Sequence, residues 1–373
     1  MVPQKRYLTP QITKDLQKKM VFLGGPRQVG KTTLAKTFLK TDRGYLNWDN
    51  AQSRENILKN ILPKSSLWIF DEIHKYKGWR NTIKGLFDQY GRSQKIMVTG
   101  SAKLDFYRHG GDSLQGRYHY LRLHPLSVAE LKISKKNDFL DLLTLSGFPE
   151  PFLGGSKVDS KRWSLEYRER LIREDIVSLE KVHDLGHLEL LMLRLPDLVS
   201  SPLSLNALRE DLQVSHKAVA NWLNIFERLY AIFRISPFGA PKIRAVKKEQ
   251  KHYHYDWSLV KKESARFENL VASHLLKWVH FQKDALGEEY ELRYFRDIDG
   301  REVDFIVTDN KNTPLWAIEC KWDDDEISKS LKYFSQKFPD CKCWQISAVG
   351  KKDYMSREKI NVGPALDFLK DLF

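Results

Sequence analysis

The segment Gly25-Pro26-Arg27-Gln28-Val29-Gly30-Lys31-Thr32 has the spacing G-x-x-x-x-G-K-T, and it decides how the first part of the chain folds. It follows the apolar run 20–23 and precedes a helical pattern over residues 33–39. A strand, a glycine-rich loop and a helix in this order predict a backbone that wraps around a polyphosphate and points its N–H groups at the oxygens. A turn that binds nothing has no use for Lys-Thr after its second glycine, so we expect a nucleotide site.

The individual residues of this loop have expected roles. Lys31 is expected to reach the outer phosphates of ATP and Thr32 to bind Mg²⁺, while the helix N-terminus favours the negative charge. The predicted nucleotide-binding residues are Gly25, Pro26, Arg27, Gln28, Val29, Gly30, Lys31, Thr32, Thr33 and, further along the chain, Ser101.

Two later apolar runs end in residues that suit the same chemistry. The run 67–70 ends at Asp71-Glu72, and the run 95–98 ends at Thr99. In open α/β sheets ligands bind beyond the carboxyl ends of the strands, so Asp71 is predicted to bind Mg²⁺ and Glu72 to polarise the attacking water. Hydroxyls at 99 and 101 either sense the terminal phosphate or cap the next helix. Strands alternating with helices through residue 125 predict an α/β fold with a parallel sheet.

Length and composition are those of a folded protein with two or three domains. The chain has 373 residues, 42% of them hydrophobic and 29% charged, and we expect domains at 1–130, 131–259 and 260–373. We find no apolar run long enough for a bilayer and no signal-peptide core at the start, so no membrane partner is expected. Three cysteines are too few for a disulfide framework, and a cytoplasmic location follows as an expectation.

The net charge of +14 is unevenly placed. Residues 1–130 carry +13, residues 131–259 carry +3 and residues 260–373 carry −2. A basic N-terminal lobe suits an acidic polymer such as DNA or a nucleotide. Lysine-rich surfaces that only keep a protein soluble have the same composition, so both interpretations stay open.

Arg117 closes the segment 112–117 and is the candidate for a catalytic arginine. An arginine that a neighbouring subunit places against the transferring phosphoryl group accelerates hydrolysis by about 10³–10⁵. This role requires a homo-oligomer. A surface salt bridge is the simpler alternative for the same residue.

Several motifs together resemble those of a prokaryotic family of AAA-type ATPases, which fuse the ATPase to an uncharacterised C-terminal region. The resemblance covers almost the whole chain and implies ATP binding and hydrolysis, with Lys31, Thr32, Asp71 and Glu72 at the matching positions. The motifs are the loop 25–32, Asp71-Glu-Ile-His-Lys75 with Trp79, Thr99-Gly-Ser101, Ser113-Leu-Gln-Gly-Arg117, His124-Pro-Leu-Ser-Val-Ala-Glu-Leu131, Gly147-Phe-Pro-Glu150 and Phe267-Glu-Asn-Leu-Val-Ala272.

The middle region predicts a winged helix. Leu205, Leu208 and Leu212 share one helical face, Ser215 is placed to cap a second helix, and the apolar strand 231–235 follows. A basic hairpin next to such a helix can straddle duplex DNA through phosphate contacts. Winged helices also serve as packing or protein-contact modules, and this alternative has equal weight. The hairpin residues expected to contact DNA are Lys242, Arg244, Lys247, Lys248 and Lys251.

The C-terminal region predicts a helix, three strands, a helix and a strand. Asp304 and Glu319 lie on neighbouring predicted strands, and Glu319 and Lys321 share one strand face because side chains alternate. Two such carboxylates can hold Mg²⁺, a nearby lysine can activate water, and Glu268 on the first helix can complete the acidic set.

This arrangement resembles the PD-(D/E)xK fold of restriction-endonuclease-like proteins, with Asp304, Glu319 and Lys321 at the motif positions and Val303 in place of the leading proline. The resemblance implies Mg²⁺-dependent phosphodiester cleavage, with Glu319 and Lys321 catalytic and Glu268, Asp304 and Glu319 as metal ligands. A degenerate nuclease fold kept as a binding platform is equally compatible with the motif.

Two functions follow from these patterns. The first is an ATPase whose nucleotide state repositions a winged helix and a nuclease-like domain on DNA. The alternative is an ATP-dependent switch or partner-recognition protein whose nuclease-like domain is inactive.

Overall fold

The computed structural model describes residues 5–100, 114–176, 184–239 and 250–373. The chain divides into two compact units, one built mainly from residues 1–125 and the other mainly from residues 126–373. The short segments 228–230 and 284–286 belong to the first unit. The second unit contains both regions that the sequence assigns to separate domains, and that finer division stays a prediction.

The first unit contains a five-stranded sheet whose strands are all parallel. The strand order is β2-β3-β4-β1-β5. Strands β1 and β3 are buried along their whole length, which is why they read as continuous apolar runs in the sequence. The predicted parallel α/β fold is confirmed. The strands are β1 Met20–Gly24, β2 Tyr45–Asn47, β3 Leu67–Asp71, β4 Lys95–Thr99 and β5 Tyr118–Arg122.

Helices pack against this sheet through apolar faces. Helix α4 places Trp79, Ile83 and Leu86 on one face, at the spacing expected of an amphipathic helix, and these residues join the core around Phe22 and Phe70. The helices of the first unit are α1 Thr9–Asp15, α2 Lys31–Lys36, α3 Ala51–Leu58 and α4 Trp79–Tyr90.

The register of the sheet aligns the carboxyl ends of three strands. Thr99 of β4 lies opposite Leu23 of β1 on one side and opposite Asp71 of β3 on the other. The loop that follows β1 and the acids that end β3 therefore lie at the same edge of the sheet. Arg117 lies at the other edge, because Tyr118 pairs with Met20 at the start of β1.

The second unit begins with helices. Ser215 caps α11 by accepting a hydrogen bond from the Ala218 N–H at 3.1 Å, as the sequence predicts. Helix α11 buries Val219, Trp222 and Phe226 on one face. The helices are α5 Val128–Leu131, α6 Lys136–Leu145, α7 Pro149–Gly154, α8 Lys157–Arg170, α9 Leu185–Arg194, α10 Leu205–Leu212, α11 His216–Arg228, α12 Glu263–Phe281, α13 Lys329–Lys337 and α14 Ala365–Lys370.

An eight-stranded mixed sheet forms the rest of this unit, in the order β12-β13-β11-β10-β9-β8-β6-β7. Strands β8, β9 and β10 are antiparallel neighbours, and β11 is parallel to β10. With α12 before them and α13 before β11, the predicted run of helix, three strands, helix and strand is confirmed. The strands are β6 Ile232–Pro237, β7 Lys251–His254, β8 Glu291–Arg296, β9 Glu302–Thr308, β10 Pro314–Lys321, β11 Lys342–Ser347, β12 Tyr354–Met355 and β13 Ile360–Pro364.

The hairpin base β6–β7 belongs to this sheet, because β6 pairs in parallel with β8 through Ser236 and Pro237. All four residues of β7 are buried. The hairpin strands are therefore part of a packed sheet, and residues 240–249 between them lie outside the described part of the chain. The winged helix that the sequence predicts for this region stays a prediction.

We predict that His252 makes stability depend on pH. Burial lowers the pKa of His252 from 6.5 to about 4, so the unfolded chain takes up a proton at a higher pH than the folded chain. Its contribution to the free energy of unfolding is complete above pH 6.5 and falls by about 3 kcal/mol as the pH drops to 4. Urea unfolding between pH 7.5 and 4 should show a shallower acid dependence for His252→Gln than for the wild type. The exposed His216, changed to Gln, is the control and should leave the dependence unchanged; equal slopes for all three proteins would contradict a buried neutral ring.

Candidate nucleotide site and acidic cluster

The glycine-rich loop turns sharply between β1 and α2. Gly25 has a φ of +130°, and a Cβ at this position would lie 2.3 Å from the backbone oxygen of Leu123. Gly30 directly precedes α2 with a left-handed φ of 95°. Both conformations are accessible to glycine and strained for other residues. The two glycines of the motif are therefore required by the backbone path.

Lys31 folds back onto its own loop. Its Nζ donates hydrogen bonds to the carbonyl oxygen of Gly25 at 2.9 Å and to that of Pro26 at 2.5 Å, and the residue is only 8% exposed. The ammonium group is thus held inside the curve of the loop, where the predicted phosphates would bind.

Asp71 is the centre of a hydroxyl network at the carboxyl edge of the sheet. Its Oδ2 accepts from Thr32 Oγ1 at 2.8 Å and from the Tyr45 hydroxyl at 2.7 Å. Its Oδ1 accepts from Thr99 Oγ1 at 2.5 Å. Burial, followed by the hydrogen bond to Asp71, raises the pKa of Tyr45. A threonine hydroxyl beside a carboxylate is the donor set that Mg²⁺ prefers, so Thr32 and Asp71 fit the predicted metal.

Glu72 follows Asp71 with a left-handed φ of 55°, which is uncommon for a residue other than glycine and is often found at functional sites. Its N–H donates to the Thr99 carbonyl at 3.0 Å. Its Oε2 lies 3.6 Å from His74 Nε2 and 3.5 Å from Lys75 Nζ. Burial raises the pKa of Glu72, and the charge of Lys75 opposes that rise. The carboxyl group is therefore held in a largely dry position beside the loop.

Arg117 is not close to the loop of its own chain. Its Nε donates to Asp88 Oδ1 at 2.8 Å in a half-exposed ion pair. Four strand residues, roughly 13 Å at the usual rise, separate the start of β1 beside Arg117 from the loop at its end. The ion pair matches the simpler alternative for this residue, and any action on a phosphate would have to be on another subunit.

The fold also brings together the C-terminal motif residues. Lys321 Nζ lies 3.0 Å from Glu319 Oε1, and the backbone N–H of Cys320 donates to Asp304 Oδ2 at 2.9 Å. Glu268 of α12 accepts from the Tyr253 hydroxyl at 2.7 Å. The four predicted residues thus belong to one cluster, to which the sequence reading did not assign Glu302.

Lys251 occupies the centre of this acidic cluster, which corrects its prediction as a DNA contact. Its Nζ lies 2.6 Å from Glu302 Oε1, 3.3 Å from Glu268 Oε1 and 3.5 Å from Asp304 Oδ1. Its side chain is completely buried, because β7 is a packed strand of the sheet. Burial alone would lower the pKa of Lys251, but the carboxylates raise it overall.

The cluster as it stands does not fit a divalent metal. Within residues 5–100, 114–176, 184–239 and 250–373 no group of three His, Cys, Asp or Glu has the geometry to hold a metal ion. The ammonium group of Lys251 is the cation that Glu268, Glu302 and Asp304 share. Burial, followed by the charges of Glu268 and Glu319, raises the pKa of Asp304.

Comparison with known families assigns the first unit. Residues 17–132 match the model of an AAA domain. The chain carries an AAA-type P-loop domain. Residues 136–268 and 263–365 match two domains of unknown function, DUF8612 and DUF4143. The AAA-type domain thus coincides with the parallel sheet and its loop.

Individual relatives are distant. Two uncharacterized proteins, from Mycobacterium bovis and Mycobacterium tuberculosis, are each 25% identical over 184 residues. The match covers 48% of this chain and 41% of each relative, so the chain spans less than half the length of these curated relatives.

Among solved structures, a Thermotoga maritima RuvB variant is 17% identical, covers 61% of this chain and 88% of its own, and has a TM-score of 0.31. The Aeropyrum pernix ORC1 protein in complex with DNA is 13% identical. The match covers 72% of this chain and 90% of the ORC1 chain, with a TM-score of 0.30. Similarity at this level carries no argument about the site.

The AAA-type domain contains two supporting residues that sequence reasoning missed. Tyr45 begins β2 with no motif around it, although its place on the strand beside β3 was a signal. Arg6 is buried and donates from Nη1 to the Val29 carbonyl at 2.9 Å, which braces the loop from a distant part of the chain. No pattern around Arg6 marks that role.

The remaining predicted residues of the AAA-type domain differ in exposure. Val29 is buried, Arg27 is half-buried, and Gln28 and Thr33 are exposed. Ser101 lies outside the described residues, as do the hairpin residues Lys242, Arg244, Lys247 and Lys248. In the part of the chain that the structure covers, no helix combines the length and apolar character needed to cross a bilayer.

We predict that Gly25→Ala destabilises the AAA-type domain and abolishes ATP binding. The new Cβ would lie 2.3 Å from the backbone oxygen of Leu123 at a φ of +130°, which costs about 2 kcal/mol or more in the free energy of unfolding. Gly85 of α4 is the matched control, since a Cβ there meets nothing within 4 Å, and Gly85→Ala should raise the free energy of unfolding by about 1 kcal/mol. Urea unfolding and calorimetric ATP titration give both readouts. Normal stability and affinity in Gly25→Ala would contradict the requirement for glycine.

Proposed function

We propose that the protein binds and hydrolyses ATP in its AAA-type domain. The observation that supports this most directly is the convergence of Thr32 and Asp71, whose oxygens lie 2.8 Å apart, with Glu72 next to them at the same edge of the sheet. The loop N–H groups bind phosphate oxygens, and Lys31 leaves the loop carbonyls to pair with the outer phosphates. Thr32 and Asp71 would hold Mg²⁺, which neutralises charge on the phosphates when it is bound.

Glu72 is the residue proposed to orient the attacking water. Its carboxyl group is largely buried, and burial raises its pKa, which makes the carboxylate a better proton acceptor. Its backbone is fixed by the hydrogen bond to Thr99. The carboxylate can therefore accept a proton from water without first reorganising its own backbone.

Arg117 is proposed to act in trans. It lies at the amino edge of the sheet and is about one third exposed, paired with Asp88 at 2.8 Å. An arginine that leaves this ion pair can approach a phosphoryl group bound to an adjacent copy of the chain. Charge stabilisation of this kind is worth about 10³–10⁵ in rate, so ATP hydrolysis should require a homo-oligomer.

We predict that three variants separate the steps of ATP turnover. Lys31→Ala should lose ATP binding because the outer phosphates lose their cation. Glu72→Gln should bind ATP normally but hydrolyse it at least about 100-fold more slowly, and Arg117→Ala should bind it and lose about 10³-fold in turnover. Asp88→Asn is the control for the surface ion pair and should keep turnover. Calorimetry and phosphate release measure the two quantities.

The clearest contradiction would be wild-type turnover in Glu72→Gln. Turnover of Arg117→Ala equal to that of Asp88→Asn would leave this arginine as a surface ion pair. Absence of ATP binding by the wild type at millimolar nucleotide would reject the whole proposal.

DNA is the proposed partner of the ATPase. Residues 1–130 carry a net charge of +13, and the exposed side of α11 presents His216, Lys217 and Asn221. Basic surfaces bind the phosphate backbone without sequence readout. Lys251 is excluded from this set by its burial, which leaves the sequence-predicted Lys242, Arg244, Lys247 and Lys248 of the hairpin as the other contacts.

We predict that duplex DNA stimulates ATP turnover and that its affinity falls steeply with salt. Each phosphate neutralised by a basic side chain releases counterions, so about six contacts would reduce affinity roughly 10³-fold between 50 and 200 mM salt. Fluorescence anisotropy and phosphate release across this range measure both effects. Lys217→Gln should lower the salt slope by about one contact, whereas Glu210→Gln, on the surface of α10, should not. DNA binding that salt does not weaken, or no stimulation by DNA, would favour a switch without nucleic acid.

The second candidate function is an ATP-dependent switch whose nuclease-like region recognises a partner without cleaving it. The observation that favours it is the position of Lys251 among Glu268, Glu302 and Asp304. A lysine at the acidic centre is compatible with a binding platform that does not cleave its partner. Slow ATP turnover alongside tight nucleotide binding would support this candidate over the first.

A further inference from the structure

We propose that Lys251 takes the place of the divalent cation in the acidic cluster of the second unit, so that this nuclease-like region contains a cation supplied by the protein and needs no metal. The proposal concerns the second unit alone. It does not depend on ATP hydrolysis by the first unit. Because the test uses nucleotide-free protein, its result is independent of the proposed ATPase function.

The contacts of Lys251 are those of a central cation. Its Nζ lies 2.6–3.5 Å from the carboxylate oxygens of Glu302, Glu268 and Asp304. These residues come from two different elements, α12 and β9. The centroid of the Tyr294 ring lies 5.6 Å from Lys251 Nζ. Tyr294 belongs to β8, which lies between β9 and β7 in the strand order. One ammonium group therefore satisfies three acids that would otherwise repel each other in a buried site.

The carboxylates of the cluster have three cationic partners. Lys251 pairs with three carboxylates and Lys321 pairs with Glu319 at 3.0 Å. The half-exposed Arg296 lies 3.6 Å from Glu302 Oε2, so Lys251 is the cation that is completely buried. The remaining acceptor is Glu319 Oε2, which is buried and has no hydrogen-bond partner in the described part of the chain.

Lys251 is held in this position by its backbone. Lys251 pairs with Ile235 across the β6–β7 hairpin and forms an isolated bridge with Pro202. The next residue, His252, is anchored at 2.8 Å to the Leu195 carbonyl, and Tyr253 donates to Glu268 at 2.7 Å. The backbone of Lys251 and the two residues after it are thus fixed in the packed strand β7, which keeps the side chain directed at the cluster. A metal would thus have to compete with a cation that is part of the fold.

The test compares the nucleotide-free full chain with Lys251→Met, a variant of similar length and no charge, using Mn²⁺ as the probe. Lys251→Met should melt at a lower temperature than the wild type, because three acids lose their counter-ion. Added Mn²⁺ should restore much of that loss and bind with one more equivalent than in the wild type. Calorimetric titration and thermal melts measure these quantities. Adding Glu319→Gln to Lys251→Met should weaken the extra equivalent at least tenfold.

Lys277→Met is the matched control. Lys277 is also buried, and it pairs with the carboxylate of Glu130 and with Ser127. Its loss should lower the melting temperature, but Mn²⁺ should not restore it, because the Glu130 carboxylate by itself does not make a metal site. Rescue of both variants by Mn²⁺ would point to general stabilisation by the ion and would overturn the proposal.

Three results contradict the proposal directly. The first is a Mn²⁺ equivalent bound by the wild type and removed by Glu319→Gln. The second is Mg²⁺-dependent DNA cleavage by the wild type that Glu319→Gln abolishes. The third is a folded Lys251→Met that gains no Mn²⁺. If Lys251→Met is insoluble, Lys251→Gln prepared with and without Mn²⁺ decides the question, since the proposal expects soluble protein only with the ion and is wrong if the ion makes no difference.

Discussion

The Asp71 carboxylate is the interaction on which the candidate ATP site depends. It accepts hydrogen bonds from the hydroxyl groups of Thr32, Tyr45 and Thr99. These residues belong to the first helix after the loop, to β2 and to β4. One side chain of β3 therefore connects the helix after the loop with the two strands that flank β3. Three hydroxyl donors therefore hold the buried carboxylate of Asp71 in one orientation at this edge of the sheet.

The carboxylates of the second unit have charged partners instead of neutral hydroxyl groups. Its acids lie on α12, β9 and β10, and they pair with ammonium groups, chiefly that of Lys251. The hydroxyl donors around Asp71 are neutral and bring no positive charge to it, whereas the lysine brings a cation into the cluster. The two units thus contain two acidic centres with different partners, neutral hydroxyl groups in the first and ammonium groups in the second.

The sequence predicted the elements well and the side-chain partners less well. The glycine spacing, the apolar runs and the Asp71-Glu72 ending predict the parallel sheet, because a parallel sheet buried on both faces leaves a continuous apolar pattern. The helix–strand order of the C-terminal region was equally readable. These features are local in the chain.

What could not be predicted depends on contacts between distant segments. Lys251 follows a run of basic residues that is typical of a solvated hairpin, and only the pairing of β6 with β8 shows that its strand is buried. Arg6 braces Val29 from 23 positions earlier in the chain, and Glu302 looks like an ordinary strand-end acid. Periodicity reports which face of an element is buried, but it does not report which charge that face will meet.

The hydrogen bonds of Lys31 to the carbonyl oxygens of Gly25 and Pro26 have a thermodynamic consequence for the proposed nucleotide binding. When a nucleotide departs, the ammonium group returns to partners already in the loop, so an unpaired charge is never left in a dry pocket. Association then exchanges one set of hydrogen bonds for another, and only the difference contributes to affinity.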